Sequence, residues 1–544
     1  MRKPETVHKD IISAVKTYFQ KIDWKLLLLL ILLLNVKFII KLIAIVVIYC
    51  LRFNLKFGFN LRSSRLPLFY VSVMVIAAMN WLINQSFMHL NQNAAFITGL
   101  FMWLMCILAV HQIKLSIENN SSQKIDNTIL AFFVLNAIVS FFNYAVMVVD
   151  SGSLNPFLYQ GQFQKYFMGA GDRIRGITFD TSTTNAIINA LGVIYFLYRK
   201  QIIMTLVCMT VLLFTASNLT NFLMVAVLIY VFIFQSDRWQ KSIVAMCLSI
   251  LLVFIAKISP QNNRYVLEVF EKIFKRENKL PPSVSPIPLR ERPDSVLSID
   301  EHRQKIALLY LDSLARVRRK ERQLAAYHEP EILPTVESFE PNIHTLPFQR
   351  IVDTTAMQEK LMIIAKNIRA DSLIALVADK GGHLPGKALA CKQTIRFFKT
   401  HPEKLLIGTG MGNFSSKLAF RTTALNISGG YPNRLAYIDS NFRKNHFAAY
   451  VYFFSRDAQY HSIINTPDSV YNQLVGEYGA IGIIAFILLY LGFFLRRAYR
   501  NRMTVPLLIL VTGVFFFEYW FEQLSIVIIF ELLILTQKNN VGAG

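Results

Sequence analysis

The sequence predicts an all-α polytopic membrane protein with about ten full transmembrane helices, a short N-terminal helical pair and a large extracytoplasmic helical loop domain. Three observations predict this class. The chain of 544 residues is 54% hydrophobic and only 17% charged, whereas soluble proteins carry about 25% charge. Its mean hydropathy of +0.40 also excludes a disordered chain. Apolar runs of membrane-spanning length lie on both sides of one long polar stretch.

Ten apolar runs are long enough to cross a bilayer when tilt and snorkelling are allowed. They occupy 67–88, 93–113, 126–149, 183–198, 201–217, 219–235, 242–258, 478–495, 503–518 and 520–536. A further apolar run at 25–50 contains Lys37 and Lys41. We interpret it as two short helices that turn near Asn35 to Lys37.

Basic residues predict the orientation, because Lys and Arg concentrate in cytoplasmic loops. The segment before residue 25 and the loop 51–66 are both basic, so the chain must cross the membrane an even number of times between them. This favours the helical pair over a single span at 25–50. Both termini are then predicted in the cytoplasm, with 150–182 and 259–477 outside.

The predicted organisation has three parts: an N-terminal transmembrane bundle at 1–258, a helical loop domain at 259–477 and C-terminal transmembrane helices at 478–544. Within the loop domain, helical patterns appear near 298–327, 355–378 and 387–400. Cys391 is the only cysteine of this polar region, so no disulfide framework is expected there. No CxxC or HExxH spacing occurs, and we predict neither a metal nor another cofactor.

The net charge of +23 has two parts. The predicted outer loop 259–477 holds 30 basic and 22 acidic residues, a net +8, and the remaining +15 lies mainly in the predicted cytoplasmic loops. Once the basic residues are placed in this way, nucleic acid is no longer indicated as a partner. The outer cationic surface instead favours an anionic, lipid-linked substrate beside the bilayer.

The first candidate site is Gly169-Ala-Gly-Asp-Arg-Ile-Arg-Gly176. Arg173 and Arg175 precede a span, which predicts a position near the outer headgroups. A guanidinium group contacts phosphate through two parallel hydrogen bonds, and glycines permit close backbone approach. The alternative is a pair of interfacial anchors.

The second candidate is Gly408-Thr-Gly-Met-Gly-Asn-Phe414. No βαβ unit precedes it and its glycine spacing is not GxGxxG, so a dinucleotide site is excluded. We predict a tight turn that places Lys417 and Arg421 on one face of the following helix.

The third candidate runs from His461 to Gly479 and enters a span from the outer side. His461, Asp468 and Glu477 are candidates for a general base. Helix capping is the competing interpretation of Asp468 and Ser469. Three further acids, Glu518, Glu522 and Glu531, lie at or within the last spans, where they could pair with the arginines.

These motifs together resemble the O-antigen ligase and O-antigen polymerase superfamily of bacterial envelope glycosyltransferases. The resemblance is carried by Thr400 to Phe414 with its Gly-x-Gly-x-Gly-Asn-Phe ending, by Glu477-Tyr-Gly479 before an apolar span, and more weakly by Arg175-Gly-Ile-Thr-Phe179. One departure is that Asp468-Ser469 stands where the family has His-Asn, and the nearest histidine is His461.

The resemblance implies transfer of a glycan from a polyprenyl-diphosphate carrier to a sugar hydroxyl of an acceptor glycan or glycolipid, without a metal. It also implies a bacterial inner-membrane protein with a periplasmic loop. Fixed cations would then stabilise the leaving diphosphate, and a base would deprotonate the acceptor. The predicted cations are Arg173, Arg175, Lys417, Arg421 and, as a further phosphate candidate, Arg396.

Ligase and polymerase activities are not separated by the sequence. Two other classes stay open: a transporter or flippase of lipid-linked glycan, and a non-catalytic scaffold for envelope assembly. A transporter is expected to show inverted repeats and broken helices. We find no internal repeat in the sequence.

Overall fold

A computed structural model describes residues 20–35, 37–60, 64–151, 174–178, 181–258, 386–424, 431–447, 449–450, 453, 466–498 and 502–536. They all belong to one compact unit formed by Met1–Phe274 and Ile351–Gly544. The second unit, Lys275–Arg350, lies outside the described residues, as do the predicted helices 298–327 and 355–378. Throughout the described ranges the regular structure is helical, and no strand is found there.

The helices are named in chain order. They are α1 (Trp24–Leu33), α2 (Phe38–Leu51), α3 (Phe69–Ile83), α4 (Leu90–Asn119), α5 (Ser122–Ser151), α6 (Ser182–Tyr198), α7 (Ile202–Phe214), α8 (Asn218–Phe234), α9 (Arg238–Val253), α10 (Gly386–Thr400), α11 (Lys417–Arg421), α12 (Val470–Ala485), α13 (Thr504–Val514), α14 (Trp520–Gln523) and α15 (Ser525–Leu535). A π-helical turn extends α9, and another joins α12 to a further helical segment, Gly492–Ala498.

Four of these helical stretches are long and apolar enough to cross a membrane: α4, α5, α9 with its extension, and α12 with its continuation. Seven shorter apolar helices of 10–17 residues accompany them within the described ranges. This pattern indicates a helical membrane protein. The count of ten full spans stays a prediction.

The N-terminal apolar run forms two helices, α1 and α2, as predicted. Asp23 caps α1 by accepting hydrogen bonds from the backbone N–H groups of Lys25 and Leu26. The buried Lys41 of α2 donates to the backbone carbonyl of Gln523. Lys41, one of the lysines of this apolar run, therefore has a buried partner between helices.

The predicted span at 520–536 contains a break in its helix. Helices α14 and α15 are separated at Leu524, whose φ is +67°. In a continuous helix the carbonyl of Gln523 would accept from the backbone four residues later. Here the ammonium group of Lys41 takes that carbonyl, so the side chain satisfies a backbone group that the break would leave unpaired.

Helix α6 lies at the centre of the bundle, and all its residues from Ser182 to Leu197 are buried. It packs against α7, α13 and α15. The N-terminal and C-terminal helices thus share one core, although a long polar stretch separates them in the sequence.

One end of the bundle, which we call the inner end, carries ion pairs between neighbouring helices. Arg199 lies 2.7 Å from Asp126, Arg52 lies 3.7 Å from Asp23, and Arg65 also pairs with Glu118. This end is the predicted cytoplasmic side. The opposite end, which we call the outer end, contains the connection between α3 and α4 together with residues 404–424 and 431–441.

Candidate functional site

The outer end contains an interruption in helix α12 at Gly479, where φ is 66° and ψ is −160°. The segment 405–414, here called the glycine loop, packs into this break through four backbone hydrogen bonds. They are Ala480 N to Leu405 O (2.8 Å), Ile481 N to Leu406 O (3.1 Å), Thr409 N to Gly476 O (3.0 Å) and Gly410 N to Glu477 O (3.1 Å). The loop therefore pairs backbone groups that the broken helix leaves open.

The glycines at this junction are required by close packing. Gly408 has a φ of +74°, and an added Cβ would lie 2.4 Å from the carbonyl carbon of Glu477. A Cβ on Gly479 would lie 2.5 Å from the carbonyl oxygen of Leu406. At these two positions the glycines are therefore explained by the close approach of two backbone segments, although the sequence pattern resembles a phosphate-binding loop.

The predicted tight turn followed by a helix is present. Helix α11 begins directly after the glycine loop, and the Ser416 hydroxyl caps it by accepting from Ala419 N at 2.9 Å. Lys417 and Arg421 therefore lie one turn apart on this helix. The Arg421 guanidinium group also lies 5.3 Å from the centre of the Phe38 ring, which favours a cation at that position.

The acidic partner of these two cations is Glu522 on α14. Its carboxylate is buried and accepts hydrogen bonds from Leu418 N at 3.0 Å and from Gln473 Nε2 at 2.8 Å. Lys417 and Arg421 are its charged neighbours. Burial lowers the pKa of the Arg421 guanidinium group, and Glu522 opposes that change. Glu522, one of the late acids for which pairing with a candidate cation was predicted, therefore lies within the electrostatic reach of both cations.

The candidate base Glu477 has both carboxylate oxygens buried within α12. It faces Glu522, the Ser416 hydroxyl and the backbone N–H groups of Gly412 and Phe414. These groups lie near the carboxylate without reaching ordinary hydrogen-bond geometry. Its use as a base for an acceptor hydroxyl stays a prediction that requires this pocket to open.

Asp468 lies beside Lys387, whose side chain is only 16% exposed. Lys387 Nζ donates to Thr466 Oγ1 at 2.9 Å, to the carbonyl of Phe517 at 2.8 Å and to the carbonyl of Asp468. The Asp468 carboxylate is 4.0 Å away. Burial lowers the pKa of Lys387 to about 8. Ser469 caps α12, as the capping interpretation predicted.

Arg175 is exposed and lies on a segment that hydrogen bonds to side chains of α5 and α6. Gly176 N donates to Asn143 Oδ1 and Ile177 N to Asn136 Oδ1, both at 3.1 Å, while Asn185 Nδ2 donates to the carbonyl of Ile174. Asn143 lies eight residues before the end of α5, or roughly 12 Å along the helix. The segment therefore lies alongside α5 rather than beyond its end.

None of the contacts described above places the remaining predicted site residues beside Glu522. Arg396 is exposed on α10, with Lys392 and Lys399 on the same face. Arg173 and His461 lie outside the described residues. Where His461 lies relative to Arg421 thus stays open.

A polar cleft of about 350 Å³ opens at the outer end between the α3–α4 connection and the glycine loop. Its polar lining includes Asn84, His89, Lys404, Thr409, Asn413 and Asp439. The Tyr437 hydroxyl lies 3.2 Å from both Asn413 Oδ1 and Asp439 Oδ2. Burial raises the pKa of the Asp439 carboxyl.

A second polar group missed by sequence reasoning surrounds His446. Its Nε2 lies 3.5 Å from the Thr394 hydroxyl, and Thr394 donates to Asn472, whose amide donates to Ser415 Oγ at 2.8 Å. Burial lowers the pKa of His446 to about 3, so the imidazole is neutral. This network connects α10, α12 and Ser415, the residue that follows the glycine loop.

No protein-family model, curated protein or solved structure matches the chain. In the part of the chain that the structure describes, no group of three His, Cys, Asp or Glu residues is placed to hold a metal ion. The site defined here therefore consists of the Lys417, Arg421 and Glu522 cluster, the glycine loop on broken helix α12, and the adjoining polar cleft.

Proposed function

We propose that the protein is a membrane glycosyltransferase that moves a glycan from a polyprenyl-diphosphate carrier to a sugar hydroxyl of envelope polysaccharide. In this proposal it lies in the bacterial cytoplasmic membrane with ten spans, cytoplasmic termini and a periplasmic loop. The observation that carries the proposal is the pair of cations, Lys417 and Arg421, held on one short helix beside the buried Glu522.

A lipid-linked diphosphate presents its negative charge at the headgroup level of the membrane. Two segments that are distant in the sequence, the α3–α4 connection and the described parts of 404–441, line one cleft. Tyr437 of the second segment bonds to Thr422, the residue that follows α11. Cations fixed there would stabilise the charge that develops on the leaving diphosphate. Arg173, Arg175 and Arg396 are further candidate cations for binding the carrier diphosphate. The substrate would have to extend to their positions to contact them.

In the proposed reaction the acceptor hydroxyl oxygen bonds to the anomeric carbon of the donor sugar. The bond from that carbon to the diphosphate oxygen breaks, and its electron pair leaves with the diphosphate. A base takes the hydroxyl proton. His461, Asp468 and Glu477 are the bases predicted from the sequence. Asp439, which lines the cleft at the outer end, is a further candidate.

The test uses purified full-length protein in lipid nanodiscs with lipid-linked glycan and acceptor, and it measures glycan transfer. Arg421→Gln is expected to lower turnover by about 100-fold, because one fixed charge is lost from the transition state. The matched control is Arg434→Gln, which removes an exposed arginine from the same extramembrane segment. Equal turnover in wild type and Arg421→Gln would contradict the proposal.

A double variant distinguishes two roles of Arg421, which are binding the diphosphate and neutralising the charge of Glu522. If Arg421 only balances that carboxylate, Arg421→Gln with Glu522→Gln should regain wild-type turnover. If Arg421 contacts the diphosphate, the double variant should stay as slow as Arg421→Gln alone. Product length then distinguishes a polymerase from a ligase.

A transporter of lipid-linked glycan is the second candidate, because the break in α12 at Gly479 is typical of transport proteins. In this chain the glycine loop pairs the backbone groups of the break. Proteoliposomes loaded with lipid-linked glycan discriminate the two functions. Movement of glycan across the bilayer without formation of product would favour transport and contradict glycosyl transfer.

A further inference from the structure

The polar cleft and the cation helix α11 are physically joined. Tyr437 N donates to the carbonyl of Thr422 at 2.8 Å, one residue after Arg421. Asn91 Nδ2 donates to the carbonyl of Ala436 at 3.0 Å, which fixes the same segment to α4. A molecule in the cleft would therefore lie against a support that also positions Arg421.

The lining of the cleft matches a neutral, hydroxyl-rich ligand. Amide and hydroxyl side chains such as Asn84, Thr409 and Asn413 both donate and accept hydrogen bonds. One lysine, Lys404, and one acid, Asp439, contribute opposite charges. The volume of about 350 Å³ falls in the range of small-molecule sites. Carbohydrate hydroxyl groups satisfy such a surface better than an apolar ligand.

Asp439 is positioned to accept a proton at this surface. Its Oδ1 accepts from Asn441 N at 2.7 Å, and its Oδ2 lies 3.2 Å from the Tyr437 hydroxyl. A carboxylate offers about four lone-pair sites, so acceptor capacity remains. The raised pKa that burial gives this carboxyl also makes it a stronger base than an exposed aspartate.

We propose that this cleft binds the acceptor sugar and that Asp439 takes the proton of the hydroxyl being glycosylated. This inference rests on the proposed function, because it assigns the acceptor side of the same reaction. The hydroxyl oxygen bonds to the anomeric carbon while the electron pair of the broken bond leaves on the carrier diphosphate. The proton goes to the Asp439 carboxylate, which then takes the role of base in place of His461, Asp468 and Glu477.

The first test measures turnover against acceptor concentration. Asp439→Ser removes the carboxylate yet keeps a residue that caps a helical turn well. It is expected to lower kcat by about 100-fold or more with less than about a threefold change in acceptor KM. Asn441→Ala, in the cleft wall, is expected to raise acceptor KM. Asp237→Ser is the control, because Asp237 caps α9 at the inner end.

The second test measures sugar binding in the cleft separately from the proposed glycosyl transfer. Calorimetry measures binding of envelope oligosaccharide, released from its lipid, to the full-length protein. Wild-type binding that Asn441→Ala weakens supports the cleft even if no transfer is seen, in which case the glycosyltransferase proposal alone fails. Unchanged affinity and KM in Asn441→Ala, or turnover of Asp439→Ser within about threefold of wild type, would overturn the inference.

Discussion

The two ends of the bundle treat charge differently. At the inner end, arginines such as Arg65 and Arg199 meet acids on partly exposed surface. At the outer end, Glu522 is buried and lies near the two cations of α11, and the side chain of Lys387 is only 16% exposed. Removing an ion from water costs several kcal/mol, whereas exposed pairs contribute about 0–1 kcal/mol. The charges of the inner end therefore suit a role in orienting the protein in the membrane. The charges of the outer end lower stability, and a role in function would explain their presence.

The largest expected effect comes from the junction that holds the outer end together. Gly479→Ala should destabilise the protein by more than about 4 kcal/mol or prevent folding, because it combines positive φ with backbone overlap. Gly492→Ala is the matched control, since its nearest neighbour would be 3.4 Å away. Thermal midpoints in detergent measure both. Equal midpoints for the two variants would contradict the described contact between the glycine loop and α12.

The second effect compares one acid from each end. Glu522→Ala should cost about 3–5 kcal/mol, because it leaves two half-buried cations without their acid and removes the acceptor of the Leu418 and Gln473 hydrogen bonds. Glu118→Ala, which removes the partner of Arg65 at the inner end, should cost less than about 1 kcal/mol. Denaturant unfolding in micelles measures the difference. Similar costs would show that the two ends are not energetically distinct.

The third effect is a pH dependence from Lys387. Its pKa is about 8 in the folded protein and 10.5 in the unfolded chain, so between these values the unfolded state binds more protons. Stability should therefore rise with pH in that window, by about 2 kcal/mol between about pH 7.5 and 9.5. Lys387→Met should remove this rise.

The matched control for this lysine is Lys399→Met, which changes an exposed residue of the same helix. It should keep the wild-type pH dependence. A rise of equal size in Lys387→Met would assign the effect to other groups and contradict the burial of Lys387.

Local sequence patterns predicted the parts of the site that depend on nearby residues. The helical pair before residue 52, helix α10 near 387–400, and the placement of Lys417 and Arg421 after a glycine turn all follow from apolar spacing or turn chemistry. The break at Leu524 within the predicted span 520–536 was not predicted, because Lys41, which bonds to the carbonyl of Gln523, lies far away in the sequence.

The rest of the site depends on contacts between distant segments. Glu522 reaches Gln473 and Leu418 across 49 and 104 residues, and no spacing rule encodes such a distance. Asp439 was missed because an acid before a short helical turn has the pattern of an ordinary cap. The only signal for the cleft was the polar composition of the α3–α4 connection, where 84–92 contains six polar residues.

The central claim is that the cations of the outer end act on substrate, whereas those of the inner end do not. The most direct test is the ratio of glycan transfer by Arg421→Gln to transfer by Arg199→Gln, measured in nanodiscs with the same lipid-linked donor and acceptor. The account predicts a ratio near 0.01, with Arg199→Gln close to wild type. A ratio near one, or equal losses in both variants, would contradict it.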